Sequence, residues 1–265
     1  MAETAARAEK LPAWWREWLA PPVLALQLLT AVPVPLAVPA TPRHLGRAMA
    51  CFPLAGAALG LALAAFDWLM RQAFPVPVAT ALVLGAAALL TGGLHLDGLM
   101  DACDGLFGGR TPERRLEIMR DSRVGSFGVI GGVLALLIRY AALAALPPAL
   151  RPPALVLQPV AGRWVMAAAI WLFPYARPSG LGAAFKEGAR WPAVALATLA
   201  AAGMAWLAFG PPGPVALVPP AAAGGLAARF MMARLGGLTG DCYGALNELA
   251  EIVVLLVLLL WLVPR

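Results

Sequence analysis

GGLHLDGLMDACDGLFGGRTPERRLEIMRDSRVG, residues 92–125, concentrates charge in a chain that otherwise carries little of it. The chain has fourteen acidic residues in 265, and six lie in this window: Asp97, Asp101, Asp104, Glu113, Glu117 and Asp121. Long apolar runs flank the window on both sides, so these acids sit beside a membrane rather than on an ordinary solvated face. At about 100° per residue, Asp97, Asp101 and Asp104 fall within an arc of about 60° on one helix. Like charges four residues apart destabilise a helix by roughly 0.2–0.5 kcal/mol, and by more where water is scarce. A positive partner must offset that repulsion. A hard divalent cation such as Mg²⁺, which takes oxygen ligands and bridges phosphates, suits three carboxylates. The plainer alternative is a solvated face paired with Arg110, Arg114 and Arg115. It fits less well, because Asp97 lies three residues beyond an apolar run where unpaired charge is costly.

Outward from this window the chain reads as membrane. Hydrophobic residues make up 61% and charged residues 13%, against an ordinary charged share of about 25%. Apolar segments at 50–71, 77–94, 125–146, 154–173, 192–210, 214–233 and 248–263 each approach the ~20 residues that cross a ~30 Å hydrocarbon core. The expected fold is all-α: a polytopic helical bundle in which residues 1–265 form one membrane-embedded catalytic domain. It has about seven spans, and cytoplasmic helices carry the active site. The stretch 14–36 is apolar but interrupted by Pro21, Pro22, Pro33 and Pro35. It reads as an interfacial helix with a Trp anchor.

Lysine and arginine recur at alternate ends of these segments. Fourteen fall on the side of the N-terminus and the acidic window, and three (Arg71, Arg151, Arg265) on the other. The positive-inside rule places the first side in the cytoplasm. The net charge of +6 is therefore topological, and without interleaved aromatics it gives no nucleic-acid surface. The N-terminus shows no removable signal peptide, and Cys51, Cys103 and Cys242 lack disulfide or zinc spacing.

Within the window, Gly108-Gly109 ends a first helix. Thr111-Pro112-Glu113 starts a second: cap, first-turn proline, first-turn acid. On that second helix Glu113, Glu117 and Asp121 recur every four residues among Arg110, Arg114, Arg115, Arg120 and Arg123. Such a site suits phosphoryl transfer. Mg²⁺ neutralises a diphosphate, arginine forks grip its oxygens and a hydroxyl attacks phosphorus in line. No Walker loop is present, so no ATPase engine is indicated. The expected catalytic residues are Asp97, Asp121 (a further ligand or the base) and His95 (a base, a phosphate contact or a structural hydrogen bond).

A second polar cluster, GGLTGDCYGALNELAE at 236–251, lies on the same side and holds Asp241, Asn247, Glu248 and Glu251. Glu248 and Glu251 also suit the start of a last span through the helix dipole. Glycines 236, 237, 240 and 244 permit close backbone approach, so Asp241 is expected to close the site opposite the aspartate helix. The expected metal set is Asp97, Asp101, Asp104, Asp121, Asp241 and Glu248. Arg110, Arg114, Arg123, Arg163, Arg177, Lys186 and Asn247 are the expected substrate contacts. Arg139, Arg163 and Arg229 lie within spans; Arg163 is the best placed to face a cavity and Arg139 the least. The glycine-rich loop 175–188 reads as a mobile substrate lid.

These segments resemble the cobalamin synthases, the adenosylcobinamide-GDP ribazoletransferases of late vitamin B12 synthesis. The matching stretches are ALQLLTAVPVP at 25–35, FPLAGAALG at 52–60, GGLHLDGLMDACDGLFGG at 92–109 and LEIMRDSRVGSFG at 116–128. They continue through GR at 162–163, YARPSGLG at 175–182 and GGLTGDCYGALNELAE at 236–251. Met100 stands where that family more often has Ala. The resemblance implies that α-ribazole or its 5′-phosphate attacks adenosylcobinamide-GDP. GMP then leaves and adenosylcobalamin or its 5′-phosphate forms, with Mg²⁺ required. It also implies small-molecule substrates and the lipid bilayer as partners, with a homo-oligomer or other late cobalamin-pathway proteins as further ones. The Asp-x-x-x-Asp-x-x-Asp spacing is loosely similar to that of CDP-alcohol phosphotransferases, whose fuller signature is missing here. A cation transporter is the remaining alternative, and it would bury its acids mid-span.

Overall fold

A computed structural model describes residues 18–262 apart from 37 and 39. Thirteen α-helices account for most of them, and the described residues contain no strand beyond one isolated bridge. They are α1 Ala20–Leu29, α2 Pro42–Ala48, α3 Phe52–Ala73, α4 Val76–Thr91, α5 Leu94–Gly108 and α6 Pro112–Ile118. There follow α7 Ser126–Ala145, α8 Arg151–Leu172, α9 Leu181–Gly188, α10 Trp191–Phe209, α11 Pro212–Val215, α12 Val218–Leu235 and α13 Gly240–Leu262. Proline starts many of these helices, in the first turn of α1, α2, α3, α4, α6, α8 and α10. There its missing N–H has no intrahelical partner to lose.

Among the described residues six helices are long and apolar enough to cross a membrane: Pro42–Ala73, Ser126–Ala145, Arg151–Leu172, Trp191–Phe209, Pro212–Leu235 and Gly240–Trp261. A seventh crossing would be α4 continued by α5, and these two are bent by 89°. Gly92 (φ 60°) and Gly93 (φ 70°) make that bend in the left-handed region that side chains disfavour. The aspartate helix α5 therefore runs nearly perpendicular to the helix before it. The last span begins eight residues earlier than its apolar run, so Glu248 and Glu251 lie well inside α13 rather than at its start. They sit roughly 12–17 Å from its first residue.

Residues 14–17 of the expected interfacial helix, with Trp14 and Trp15, lie outside the described residues. Its visible part is ten residues long and then becomes extended, held by Gln27 Nε2 donating to the Val34 (2.9 Å) and Leu36 (2.8 Å) carbonyls. Leu24, Ala25 and Leu29 are buried in the main core while Trp18 stays outside. This helix thus leans on the bundle.

Helix α3 packs most extensively along α8. A Cβ at Gly56 would lie 2.4 Å from the Pro159 carbonyl oxygen, and one at Gly60 2.5 Å from the Val156 Cα. That small-xxx-small pair lets the backbones meet, the usual source of packing where lipid removes the hydrophobic drive.

At the end remote from α5, Arg151 and Asp67 are both fully buried and paired. Asp67 also accepts from Arg71 Nε (2.9 Å), and Arg151 reaches Thr80 Oγ1 (3.1 Å) and the Leu143 carbonyl. Arg71 and Arg151, which the charge count treats as loop residues, are in fact a helix-embedded clasp joining α3, α4, α7 and α8.

Candidate active site

Helices α5 and α13 cross through two glycines. A Cβ at Gly98 would lie 3.0 Å from the Asp241 carbonyl oxygen, and one at Gly244 3.0 Å from that of His95. This contact brings the first turns of two helices, far apart in sequence, to one place. Gly244→Ala should lower the unfolding midpoint of the detergent-solubilised protein, since overpacking costs about 1–3 kcal/mol. Gly203→Ala, whose Cβ meets nothing within 4 Å, should leave it unchanged.

A cleft of about 360 Å³ opens beside the crossing. Its walls include His95, Asp97, Tyr175, Arg177, Asp241 and Tyr243. The carboxylates acting on Asp101 are Asp97, Asp241 and Asp104, and the cation acting on it is Arg177. Asp97 and Asp241 thus meet on the cleft wall from two helices, and Asp101, off that wall, is close enough to feel both charges. Arg177 NH2 donates to Asp241 Oδ2 at 2.9 Å, and Thr239 Oγ1 to the same oxygen at 3.2 Å.

Arg177 is carried by a backbone pin. The Ala176 N–H donates to the Leu238 carbonyl and the Leu238 N–H to the Pro174 carbonyl, each at 2.8 Å. Only glycine fits at 237, where a Cβ would lie 2.7 Å from the Ala176 nitrogen. Tyr175 and Tyr243 stack with centroids 6.3 Å apart. Sequence reading passed over both tyrosines, although PYARPSG and GDCYG each present one beside the arginine or aspartate it singled out.

Other expected site residues lie elsewhere. Asp104 is buried, and its oxygens accept from the backbone N–H groups of Gly125 (2.7 Å) and Gly128 (2.8 Å). It caps the N-terminus of α7, where unsatisfied donors and the positive end of the helix dipole favour a carboxylate. A Cβ at either glycine would strike it at 2.4 or 2.3 Å.

Thr111 caps α6 as expected, accepting from the Arg114 N–H at 3.3 Å. The helix stops at Ile118, so Asp121 is not on it. Asp121 instead accepts from the Arg123 backbone (3.0 Å) and guanidinium (2.7 Å), a local turn that competes with helix. Arg123 holds its pKa down to about 2. The charges acting on Asp121 are Arg123 and Arg114, not the cleft acids. Arg110 is exposed, and Arg114 forms a surface pair with Glu117 at 2.7 Å.

The expected lid loop is largely the helix α9, with Lys186 donating to the Trp171 carbonyl at 2.6 Å. Its Phe185 lines the cleft, whereas Lys186 does not.

Behind the cleft lies a buried charged layer. Arg139, ranked last by sequence, donates to both Glu248 and Glu251 at 2.7 Å. Glu251 also pairs with Arg163 and accepts from Asn247 Nδ2 at 3.0 Å. Glu248, Arg163 and Asn247 therefore serve this layer rather than the open cleft. Arg229 is exposed on α12.

The cobalamin-5-phosphate synthase family matches the chain over residues 22–259. An adenosylcobinamide-GDP ribazoletransferase of Geotalea daltonii is 41% identical over 89% of this chain and 95% of its own. Proteins of the same name from Desulforamulus reducens and Stutzerimonas stutzeri are 43% and 42% identical, over 89% of this chain and 95% and 96% of theirs. No solved structure matches the chain. The motifs that line the cleft, GGLHLDGL, YARPSGLG and GGLTGDCYG, all fall inside the matched span, and the chain belongs to the cobalamin-5-phosphate synthase family.

Proposed function

We propose that this cleft transfers the adenosylcobinamide-phosphate moiety of adenosylcobinamide-GDP to α-ribazole or its 5′-phosphate. The reaction releases GMP and forms adenosylcobalamin or its 5′-phosphate, at the cytoplasmic face of the inner membrane. The relatives' shared name supports the reaction. The observation that carries the site is the meeting of Asp97 and Asp241, from two remote helices, with Arg177 at one open cleft.

The chain's residues divide the work as follows. Arg177 offers a planar fork of donors to phosphate oxygens. The stacked Tyr175 and Tyr243 wall the cleft with apolar surface suited to a ring system. The ribazole hydroxyl oxygen bonds to the cobinamide-linked phosphorus while the bond from that phosphorus to the GMP oxygen breaks, and GMP carries away the electron pair. A base must accept the hydroxyl proton. Asp121 suits that role poorly while Arg123 holds it ionised at about 2, because an efficient base titrates near the working pH.

Among the described residues no three ligating side chains form a preassembled metal group. Mg²⁺ commonly takes one or two carboxylates, keeps waters and completes its shell with substrate phosphates. Asp97 and Asp241 are the hard oxygen donors on the cleft wall that would hold it, and Mg²⁺ bound there would neutralise developing phosphate charge. The mid-span acids Glu248 and Glu251 are paired with Arg139 and Arg163, whereas the acids of the open cleft, Asp97 and Asp241, stand in the first turns of their helices, which favours the enzyme.

Purified protein given adenosylcobinamide-GDP and α-ribazole should release GMP and form the joined corrinoid in equal amounts. Asp241→Asn should slow this and weaken its Mg²⁺ dependence together, since it removes a charge near the ion. No GMP release from folded wild-type protein would refute the transferase reading.

A further inference from the structure

The cleft beside Asp97 and Asp241 has two chemically different parts. Its acids and Arg177 come from α5, α13 and the loop joining α8 to α9. A second part of the wall is Leu28, Leu29, Phe52, Met166, Ile170 and Phe185, from α1, α3, α8 and α9. None of these six side chains carries an N–H or O–H donor, and the Met166 thioether is only a weak acceptor. Five of them are buried in the main core, and Leu28 packs against it. Phe52 and Phe185 meet edge to face, with ring centroids 5.6 Å apart. This wall is set in place by its backbone. A Cβ at Gly188, the last residue of α9, would lie 1.7 Å from the Pro42 carbonyl oxygen, so α9 rests backbone to backbone on α2.

Size and polarity then select the occupant. At about 360 Å³ the cleft stands near the lower end of small-molecule sites, about 300–1,000 Å³. It takes a nucleoside-sized group rather than a corrinoid with its nucleotide. Three such groups enter the transferase reaction: the adenosyl and guanosine groups of the corrinoid substrate, and α-ribazole. Adenine and guanine carry amino N–H donors and several acceptors on their edges. Burying these against leucine, phenylalanine and methionine leaves them unpaired, which is penalised. The base of α-ribazole is a benzimidazole bearing two methyl groups. Its edge is C–H and methyl apart from one acceptor nitrogen, so its burial strands no donor.

We infer that this apolar wall holds the dimethylbenzimidazole base of α-ribazole, with Leu28, Phe52, Met166 and Phe185 setting the preference for an apolar base. The inference rests on the transferase reading and adds which substrate enters the cleft and what selects it. A base seated there directs its ribose toward Asp97, Asp241 and Arg177, where the diphosphate is bound. Positioning of this kind turns the meeting of two substrates into a local step. The corrinoid and its guanosine are held outside the apolar wall.

Steady-state kinetics of the detergent-solubilised full chain test this. Free 5,6-dimethylbenzimidazole should compete with α-ribazole and not with adenosylcobinamide-GDP, whereas adenosine and guanosine should not compete with α-ribazole. Leu28→Asn, at a half-buried position on the wall, should raise KM for α-ribazole about tenfold. It should leave kcat and KM for adenosylcobinamide-GDP within about twofold of wild type. Wild-type protein should prefer α-ribazole over its analogue without the methyl groups by about tenfold, and Met166→Ala, which enlarges the site, should cut that preference to within about threefold. Leu196→Ala, in a separate cleft beside Arg190, should change none of these constants.

Folded Leu28→Asn and Met166→Ala proteins with wild-type constants for α-ribazole would overturn the inference. So would a rise in KM confined to adenosylcobinamide-GDP, or guanosine competing with α-ribazole. If neither variant folds, the inhibition pattern of the wild-type protein still decides the matter. Wild-type protein that releases no GMP would remove the transferase reading itself, a result distinct from turnover that is indifferent to the apolar wall.

Discussion

Asp97→Ala should lower the rate of GMP release by at least about 100-fold while the protein still inserts and folds, the scale of losing one electrostatic contact to the reacting phosphates. Asp97 is exposed to the cleft at the first turn of α5 and caps no other helix. Its structural contribution is limited to the helix dipole, about 0.3–1 kcal/mol. Catalysis and stability therefore separate at this residue, unlike at Asp104, where a substitution would also uncap α7. Rates at limiting and saturating Mg²⁺, beside an unfolding midpoint, check the expectation. A folded variant with wild-type activity at limiting Mg²⁺ would remove Asp97 from any metal-binding role.

Arg139→Met should have the opposite character, collapsing the amount of folded protein. It would leave Glu248 and Glu251, both at least nine-tenths buried, with Arg163 as their remaining cation. Removing one partner of a buried pair costs about 3–5 kcal/mol, because the other charge is left stranded. The fraction of extracted protein that runs as a monodisperse peak should fall sharply. Arg139→Met combined with Glu248→Gln restores the charge balance and should recover most of that loss. A single variant as stable as wild type would show that the layer is not a charge-balanced unit.

These two residues also mark what the sequence discloses and what it hides. Asp97 was legible because its neighbours in the chain are its neighbours in space: the 92–125 window carries the helix, the glycine bend and the acids together. Asp241 was legible from a second polar cluster at the same membrane end, with glycines that allow close approach.

Arg139 was not legible, because its partners lie 109 and 112 residues away and an arginine alone in an apolar run reads as a snorkelling side chain. Asp67 and Arg151, 84 residues apart, were missed for the same reason. Periodicity misled twice. Asp104 shares the angular arc of Asp97 and Asp101, but that end of α5 meets the start of α7, which captures the carboxylate. Asp121 continues an every-fourth spacing past a helix that its own side chain, bonded to the Arg123 N–H, helps to end.

The most direct test is a structure of the membrane-inserted protein with adenosylcobinamide-GDP bound. The protein has a second, larger cleft of about 830 Å³, lined by Arg43, Arg47 and Arg190 between α2 and α10. It is an electrostatically reasonable rival for a diphosphate. The diphosphate is expected beside Asp97 and Asp241, with Arg177 on its oxygens. A diphosphate seated instead among Arg43, Arg47 and Arg190, with the Asp97–Asp241 cleft empty, would contradict the assignment of the active site.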